Sequence, residues 1–152
     1  MLDIFDILGP VMVGPSSSHT AGAVRIGRMA RTLLGAEVAR ADIGLHGSFA
    51  DTGRGHGTDR ALVAGLLGLR PDDPRLPDSF ALAEEQGMTF TIHPVELRSA
   101  HPNTAMLRLT ARSGRELSLK AASVGGGRIR VTEIDGVPAD FGGDSNTLII
   151  HN

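Results

Sequence analysis

The sequence predicts an α+β domain: a mostly antiparallel sheet with two main helices packed on one face. Three observations predict it. Apolar residues recur at helical spacing twice, both times early, near residues 20–34 and 58–69. Alternation with a period of two fills most of the second half. The alternating runs are separated by Ser113-Gly114, Gly125-Gly126-Gly127 and Asp135-Gly136, short breaks that suit tight turns.

In chain order, Ile4–Leu8 reads as a short helix or turn ended by Gly9-Pro10, and Val11-Met12-Val13 as an apolar run ended by Gly14-Pro15. Ser16, Ser17 and Ser18 offer helix N-caps. A helix follows from about Thr20 to Leu34, closed by Gly35. Ala23, Ile26, Ala30 and Leu33 share its apolar face; Arg25, Arg28 and Arg31 share the opposite face, which reads as solvated. From about Val38 to Ser48 the pattern alternates, with Ala41, Ile43 and Leu45 on one side and Asp42, Gly44 and His46 on the other. A glycine-rich loop over Thr52–Gly57 leads to a second helix, about Thr58 to Leu69, apolar nearly all round and therefore buried. Pro71, Pro74 and Pro77 mark a surface connection. Strands are expected over Thr89–Val95, around Ala105–Ala111 and Leu117–Ala121, from Ile129, and again at Leu148-Ile149-Ile150.

A chain of 152 residues is one domain's worth. Net charge is −2 and aromatic content only 3%, without Trp or Tyr, so the composition does not point to nucleic acid and stacking platforms for bases are not expected. No apolar run is long enough to span a bilayer, and Asp3 and Asp6 stand where a signal peptide carries basic residues, so a cytoplasmic protein is expected. The chain has no cysteine, so it forms no disulfide and holds no metal or cluster through thiolates of its own. No metal-ligand spacing stands out: His19 and His56 lack a carboxylate at fixed spacing. Lys120 is the single lysine and falls in mid-strand, which argues against a pyridoxal phosphate enzyme, whose chemistry needs a Schiff-base lysine.

Four segments are rich in groups that bind or react. In Gly14-Pro15-Ser16-Ser17-Ser18-His19-Thr20, hydroxyls and a histidine sit where a helix begins. The free N–H groups and dipole there favour an anion, so a carboxylate cradle and a plain N-cap are both open readings. Gly47-Ser48-Phe49-Ala50 through Gly55-His56-Gly57-Thr58-Asp59 runs from a strand into a helix, but its glycines complete neither nucleotide-binding motif. On these residues alone His56 reads first as a surface-loop residue. In His101-Pro102-Asn103-Thr104, proline holds His101 extended at a loop-to-strand junction. Ser123-Val124-Gly125-Gly126-Gly127-Arg128 reads as a bulge or a close backbone approach. His46 and His93 lie within strands and read as structural or surface residues.

Taken in this order, with Ile7-Leu8-Gly9-Pro10-Val11-Met12-Val13 before the serines, these segments resemble the beta subunit of bacterial iron–sulfur-dependent L-serine dehydratase (L-serine ammonia-lyase), and most the two-subunit type. The resemblance covers essentially the whole chain, residues 1–152, as one beta domain. It implies a fold similar to the allosteric substrate-binding domain of some phosphoglycerate dehydrogenases. It implies conversion of L-serine to pyruvate and ammonia, with a [4Fe–4S] cluster held by cysteines of a partner alpha subunit and not by this chain. The family's C-terminal ACT module, a regulatory unit, is expected to begin about where this sequence stops, near Leu148–Asn152.

Under that resemblance His19 and His56 are the candidate general bases, unranked, because imidazole is suited to proton abstraction near neutral pH. Ser16, Ser17, Ser18 and Thr20 would orient the substrate carboxylate and hydroxyl. Thr58 and Asp59 open the second helix, where Asp59 would orient a histidine or the substrate amine. His101 and Asn103 would stand behind these groups and support them. The expected partners are the alpha subunit and L-serine, with a homodimer as a second assembly, and no nucleic acid or membrane. The rival reading is a non-catalytic regulatory domain that binds serine or a small anion. It needs no cysteine-bearing partner.

Overall fold

The computed structural model describes residues 17–53 and 57–142. Over them the chain forms helix α1 (Ser17–Leu34), strand β1 (Val38–Gly47), helix α2 (Ser48–Gly53), helix α3 (Thr58–Leu66), a 3-10 turn (Leu76–Asp78) and helix α4 (Ser79–Gln86). Strands β2 (Thr89–Val95), β3 (Asn103–Ala111), β4 (Glu116–Gly125), β5 (Arg128–Ile134) and β6 (Val137–Gly142) follow. The expected elements at Ile4–Leu8, Val11–Val13 and Leu148–Ile150 lie outside the described residues.

The strands make one six-stranded sheet in the order β2-β1-β3-β4-β5-β6. β1 and β2 pair parallel; every other neighbouring pair is antiparallel. This is the mostly antiparallel α+β arrangement that the sequence predicts. The parallel pair explains where the helices go: a parallel neighbour needs a long crossover, and α2, α3 and α4 all lie between β1 and β2.

Strand register stacks the apolar residues in rows. Ala41 lies beside Leu109 and Leu109 beside Leu117; Ile43, Leu107 and Leu119 form the next row; Leu45, Ala105, Ala121 and Val131 form the third. All are buried, under Ala23, Ile26 and Ala30 of α1 and Leu62, Val63 and Leu66 of α3. The period of two in the sequence thus becomes one continuous apolar face. The other face carries Arg40, Asp42, Arg108, Lys120 and Arg130, exposed or half-buried.

Two glycines set the distance between the helices. A Cβ on Gly27 of α1 would lie 2.5 Å from the Leu62 carbonyl oxygen, and one on Gly65 of α3 would run into the carbonyl oxygen of Val24. The backbones therefore touch, closer than side-chain packing permits.

The arginines of α1 differ from expectation. Arg28 Nη1 donates to the Gly68 and Leu69 carbonyls (2.8 and 3.2 Å), and Arg31 Nη1 donates to the Leu66 carbonyl (3.0 Å). They satisfy the carbonyls that the end of α3 leaves open, so this face is a helix cap and not a solvated surface. Arg25 lies against the β4–β5 turn at Gly127. Helix α4 is also additional to the sequence reading. Only Ser79 and Ala83 of it are buried, so its sequence has no apolar stripe to announce it. It is fastened by the Ser79 hydroxyl donating to the Arg60 carbonyl (2.7 Å) and by Phe80, which packs 4.9 Å from the Phe90 ring and under the Arg60 guanidinium.

Candidate functional site

The described residues of the four segments singled out in the sequence lie toward one end of the sheet. β1 finishes there at Gly47, and its antiparallel partner β3 starts there at Asn103, directly opposite. Thr104 lies beside Ala122 and Ser123 beside Ile129, so β4 ends and β5 begins at the same edge. α1 meets that edge near its first turns: Gly22 packs on Ser123, whose Cβ would be 2.6 Å from a Cβ on the glycine, and Ala21 lies against Gly127. Arg28 and Arg31, late in α1, reach the C-terminal end of α3. The two helices therefore run side by side in the same sense, and their N-termini point to this end.

Gly47 makes the corner possible. Its φ is +63°, and a Cβ there would sit 2.9 Å from the Pro102 Cα. Only glycine accepts both the left-handed backbone and the close approach. β1 turns directly into α2 at Ser48, so the first part of the expected glycine-rich loop is helical.

The His101–Thr104 segment is braced by its own groups. His101 Nδ1 accepts the Asn103 N–H (3.0 Å), and the buried Thr104 hydroxyl donates to the His101 carbonyl (2.7 Å). With Nδ1 an acceptor, the neutral ring carries its proton on Nε2. His101 itself is exposed. The Asn103 side chain is half-buried, and its Oδ1 is buried without a hydrogen-bond partner.

α3 opens with Thr58 and Asp59, 1% and 8% exposed, which is unusual for a carboxylate. Gly57 precedes them in the left-handed region, and no side chain caps the helix. Asp59 Oδ1 accepts the Arg60 N–H (2.7 Å), and a negative charge in the first turn is favoured by the helix dipole.

Ser17, Ser18, His19 and Thr20 form the first turn of α1, with Thr20 half-buried; the side chains of Ser17, Ser18 and His19 lie outside the description, as do Ser16 and His56 altogether. The first turns of α1 and α3 and the start of β3 at Asn103 thus all lie toward this end of the sheet. The sequence predicts a bulge or a close backbone approach at the Ser123–Gly127 turn. All three of its glycines have positive φ, and the turn supports the start of α1. The signal was present as three consecutive glycines. The pairing of Gly27 with Gly65 carried no such signal.

Beside this edge lies a cleft of about 620 Å³ lined by His46, Gly47, Ala50, Asp51 and residues 94–98, from the end of β2 into the loop that follows it. His46 Nδ1 accepts the Leu97 N–H (3.0 Å), which pins that loop, so His46 has the structural role expected. His93 pairs with Asp42 (3.0 Å) on the outer sheet face. The Thr91 hydroxyl (2.7 Å) and then His93 hold the Asp42 carboxyl below its usual range. Among the described residues no three His, Cys, Asp or Glu side chains are grouped to hold a metal ion. No helix among them is long and apolar enough to cross a membrane.

The family model for the serine dehydratase beta chain matches residues 1–92. The probable L-serine dehydratase, beta chain, of Bacillus subtilis (strain 168) is 45% identical over 150 residues, which cover 98% of this chain and 68% of that one. The L-serine dehydratase, beta chain, of Peptoniphilus asaccharolyticus is 41% identical over 147 residues, 96% of this chain and 66% of that one. The L-serine dehydratase TdcG of Escherichia coli (strain K12) is 32% identical over 166 residues, 92% of this chain and 36% of that one. The chain therefore spans about two thirds of the two beta chains.

Proposed function

This chain belongs to the serine dehydratase beta chain family, and we propose that it is the beta component of a two-chain L-serine dehydratase, converting L-serine to pyruvate and ammonia only with its alpha chain. The observation that carries the reading is the convergence of both helix N-termini and the His101–Thr104 segment on one sheet edge, in a chain related over nearly its whole length to named beta chains.

The substrate carboxylate is held at the start of α1, where backbone N–H groups and the hydroxyls of Ser16, Ser17, Ser18 and Thr20 are the donors. His56 or His19 removes the α-proton. Asp59, at the start of α3, orients that histidine or the substrate ammonium, and Thr58 lies beside it. His101 and its brace hold Asn103 in place. Loss of the α-proton and of the β-hydroxide leaves an enamine, which hydrolyses to pyruvate and ammonia. This chain contains no cysteine, so the thiolates for a [4Fe–4S] cluster belong to the alpha chain; when bound there, the cluster supplies a Lewis acid toward the departing hydroxyl. Such thiolate ligation is maintained in a reducing compartment, consistent with a cytoplasmic location.

The test is anaerobic mixing of this chain with the cysteine-bearing alpha chain from the same source, followed by assay of pyruvate from L-serine. Activity that requires both chains is expected, and the mass of the complex reports whether this chain is present as a homodimer. A confirmed complex with intact cluster and no activity would overturn the enzyme reading in favour of a serine- or anion-binding regulatory domain.

A further inference from the structure

Two buried side-chain atoms among the described residues lack a hydrogen-bond partner: Arg25 Nε and Asn103 Oδ1. Arg25 lies two turns into α1, beneath the β4–β5 turn. Asn103 lies at the sheet edge where the site is built. Buried acceptors are nearly always paired, so an orphan at a site marks a missing donor.

Everything around Asn103 holds it in place. Its backbone is opposite Gly47 in the ladder, and its N–H is held by His101 Nδ1 at 3.0 Å. Pro102, before it, is packed against Gly47, and Thr104, after it, is buried and bonded to the His101 carbonyl. A side chain on so fixed a backbone is pre-organised, and its oxygen is kept dry.

We propose that Asn103 Oδ1 accepts a hydrogen bond from the α-ammonium group of the substrate, and so selects amino acids over acids that lack the amine. The inference rests on the function proposed above. Of the three polar groups of L-serine, the carboxylate only accepts and cannot pair with a carbonyl oxygen. The β-hydroxyl is the departing group and faces the alpha chain. The ammonium has three N–H donors, and a charged donor makes the stronger bond. One goes to Asn103, which leaves Asp59 free to hold another or to orient a histidine.

The test uses the assembled two-chain enzyme with two inhibitors that are not turned over. L-Alanine keeps the ammonium and lacks the hydroxyl; 3-hydroxypropanoate keeps the hydroxyl and lacks the ammonium. Asn103→Ala is expected to raise the KM for L-serine and the inhibition constant of L-alanine about ten- to a hundredfold. The inhibition constant of 3-hydroxypropanoate should change less than about threefold, because it never used the bond. Asn103→Asp keeps an acceptor of the same shape and should hold L-alanine within about threefold of the parent. Equal weakening of both inhibitors by Asn103→Ala would overturn the inference, as would unchanged L-alanine binding. An Asp variant as weak as the Ala variant would also overturn it, and would assign the amide's N–H groups to the carboxylate instead. If the parent pair neither turns over L-serine nor binds L-alanine, the dehydratase function fails first; a working parent with an indifferent Asn103 sinks this inference alone.

Discussion

Gly27 in α1 and Gly65 in α3 meet with no side chain between them: a Cβ on the first would come within 2.8 Å of the Leu66 nitrogen, and one on the second within 3.0 Å of the Gly27 Cα. The contact fixes how far apart the two helix N-termini lie at the sheet edge. The distance across the site is thus set by residues remote from it.

Gly27→Ala should therefore destabilise the domain although alanine is the better helix former. The propensity gain is about 1 kcal/mol, and overpacking against backbone costs about 1–3 kcal/mol. Because the obstruction is backbone, the upper end applies, and urea denaturation should show a net loss of about 1–2 kcal/mol. The assembled enzyme should lose activity as well, since the helix starts move apart. A more stable variant would show that the helices separate freely and that the contact sets nothing.

Arg28 reaches two carbonyls at the end of α3, at 2.8 and 3.2 Å. Arg28→Ala leaves them to water or to burial and should cost about 1–2 kcal/mol in chemical denaturation. Arg70 is exposed, and Arg70→Ala should stay within about 0.5 kcal/mol. Equal effects at the two positions would return Arg28 to the solvated face that its spacing suggests.

That mismatch shows what was legible in the sequence. Period-two alternation located β1, β2, β3, β4 and β5 closely because burial of one sheet face acts on every second residue. The end of β1 was off by one residue, since Ser48 already begins α2. The same reading placed Arg28 and Arg31 correctly opposite the apolar stripe and misjudged their role. Which carbonyls a long side chain reaches depends on where α3 ends, and that is tertiary information. α4 was illegible because the Phe80 ring and two small buried residues hold it in place of an apolar stripe. The candidate site was legible as four polar segments, three of them carrying glycine. Their meeting at one edge follows from strand register, which the sequence alone did not supply.

The Asp42 carboxyl is held below its ordinary value near 3.8 by the Thr91 hydroxyl first, which burial opposes, with His93 and then Arg108 adding to the lowering. A depressed carboxylate contributes stability that is present above the unfolded value and is lost as pH falls through the folded one. The melting temperatures of the parent and of Asp42→Asn should therefore differ near pH 6 and converge as pH falls below about 4. The parent should be the more stable at the higher pH. Both side chains of the pair are more than two-fifths exposed, at 43% and 45%, so the difference will be small and should shrink further in high salt. Melting curves that run parallel across the range would mean that the carboxylate's charge does nothing for the fold.

The proton-abstracting residue is the remaining assignment on which the chemistry turns. His101 is a poor choice: its Nδ1 is engaged by the Asn103 N–H, so its ring is fixed as part of the brace. His46 is similarly engaged by the Leu97 N–H, and His93 faces Asp42 on the outer side of the sheet. These roles leave His19, in the first turn of α1, and His56, which precedes α3 in the sequence, as the candidate bases. In the assembled enzyme, alanine at whichever is the base should lower kcat by about two to four orders of magnitude. It should also remove the acidic limb of the kcat–pH profile, because the rate no longer depends on a free imidazole. The other histidine, if it only orients the substrate, should act mainly on KM and leave that limb in place. Losses below tenfold at both positions would exclude histidine from proton abstraction and direct attention to Asp59, the 8%-exposed carboxylate at the start of α3.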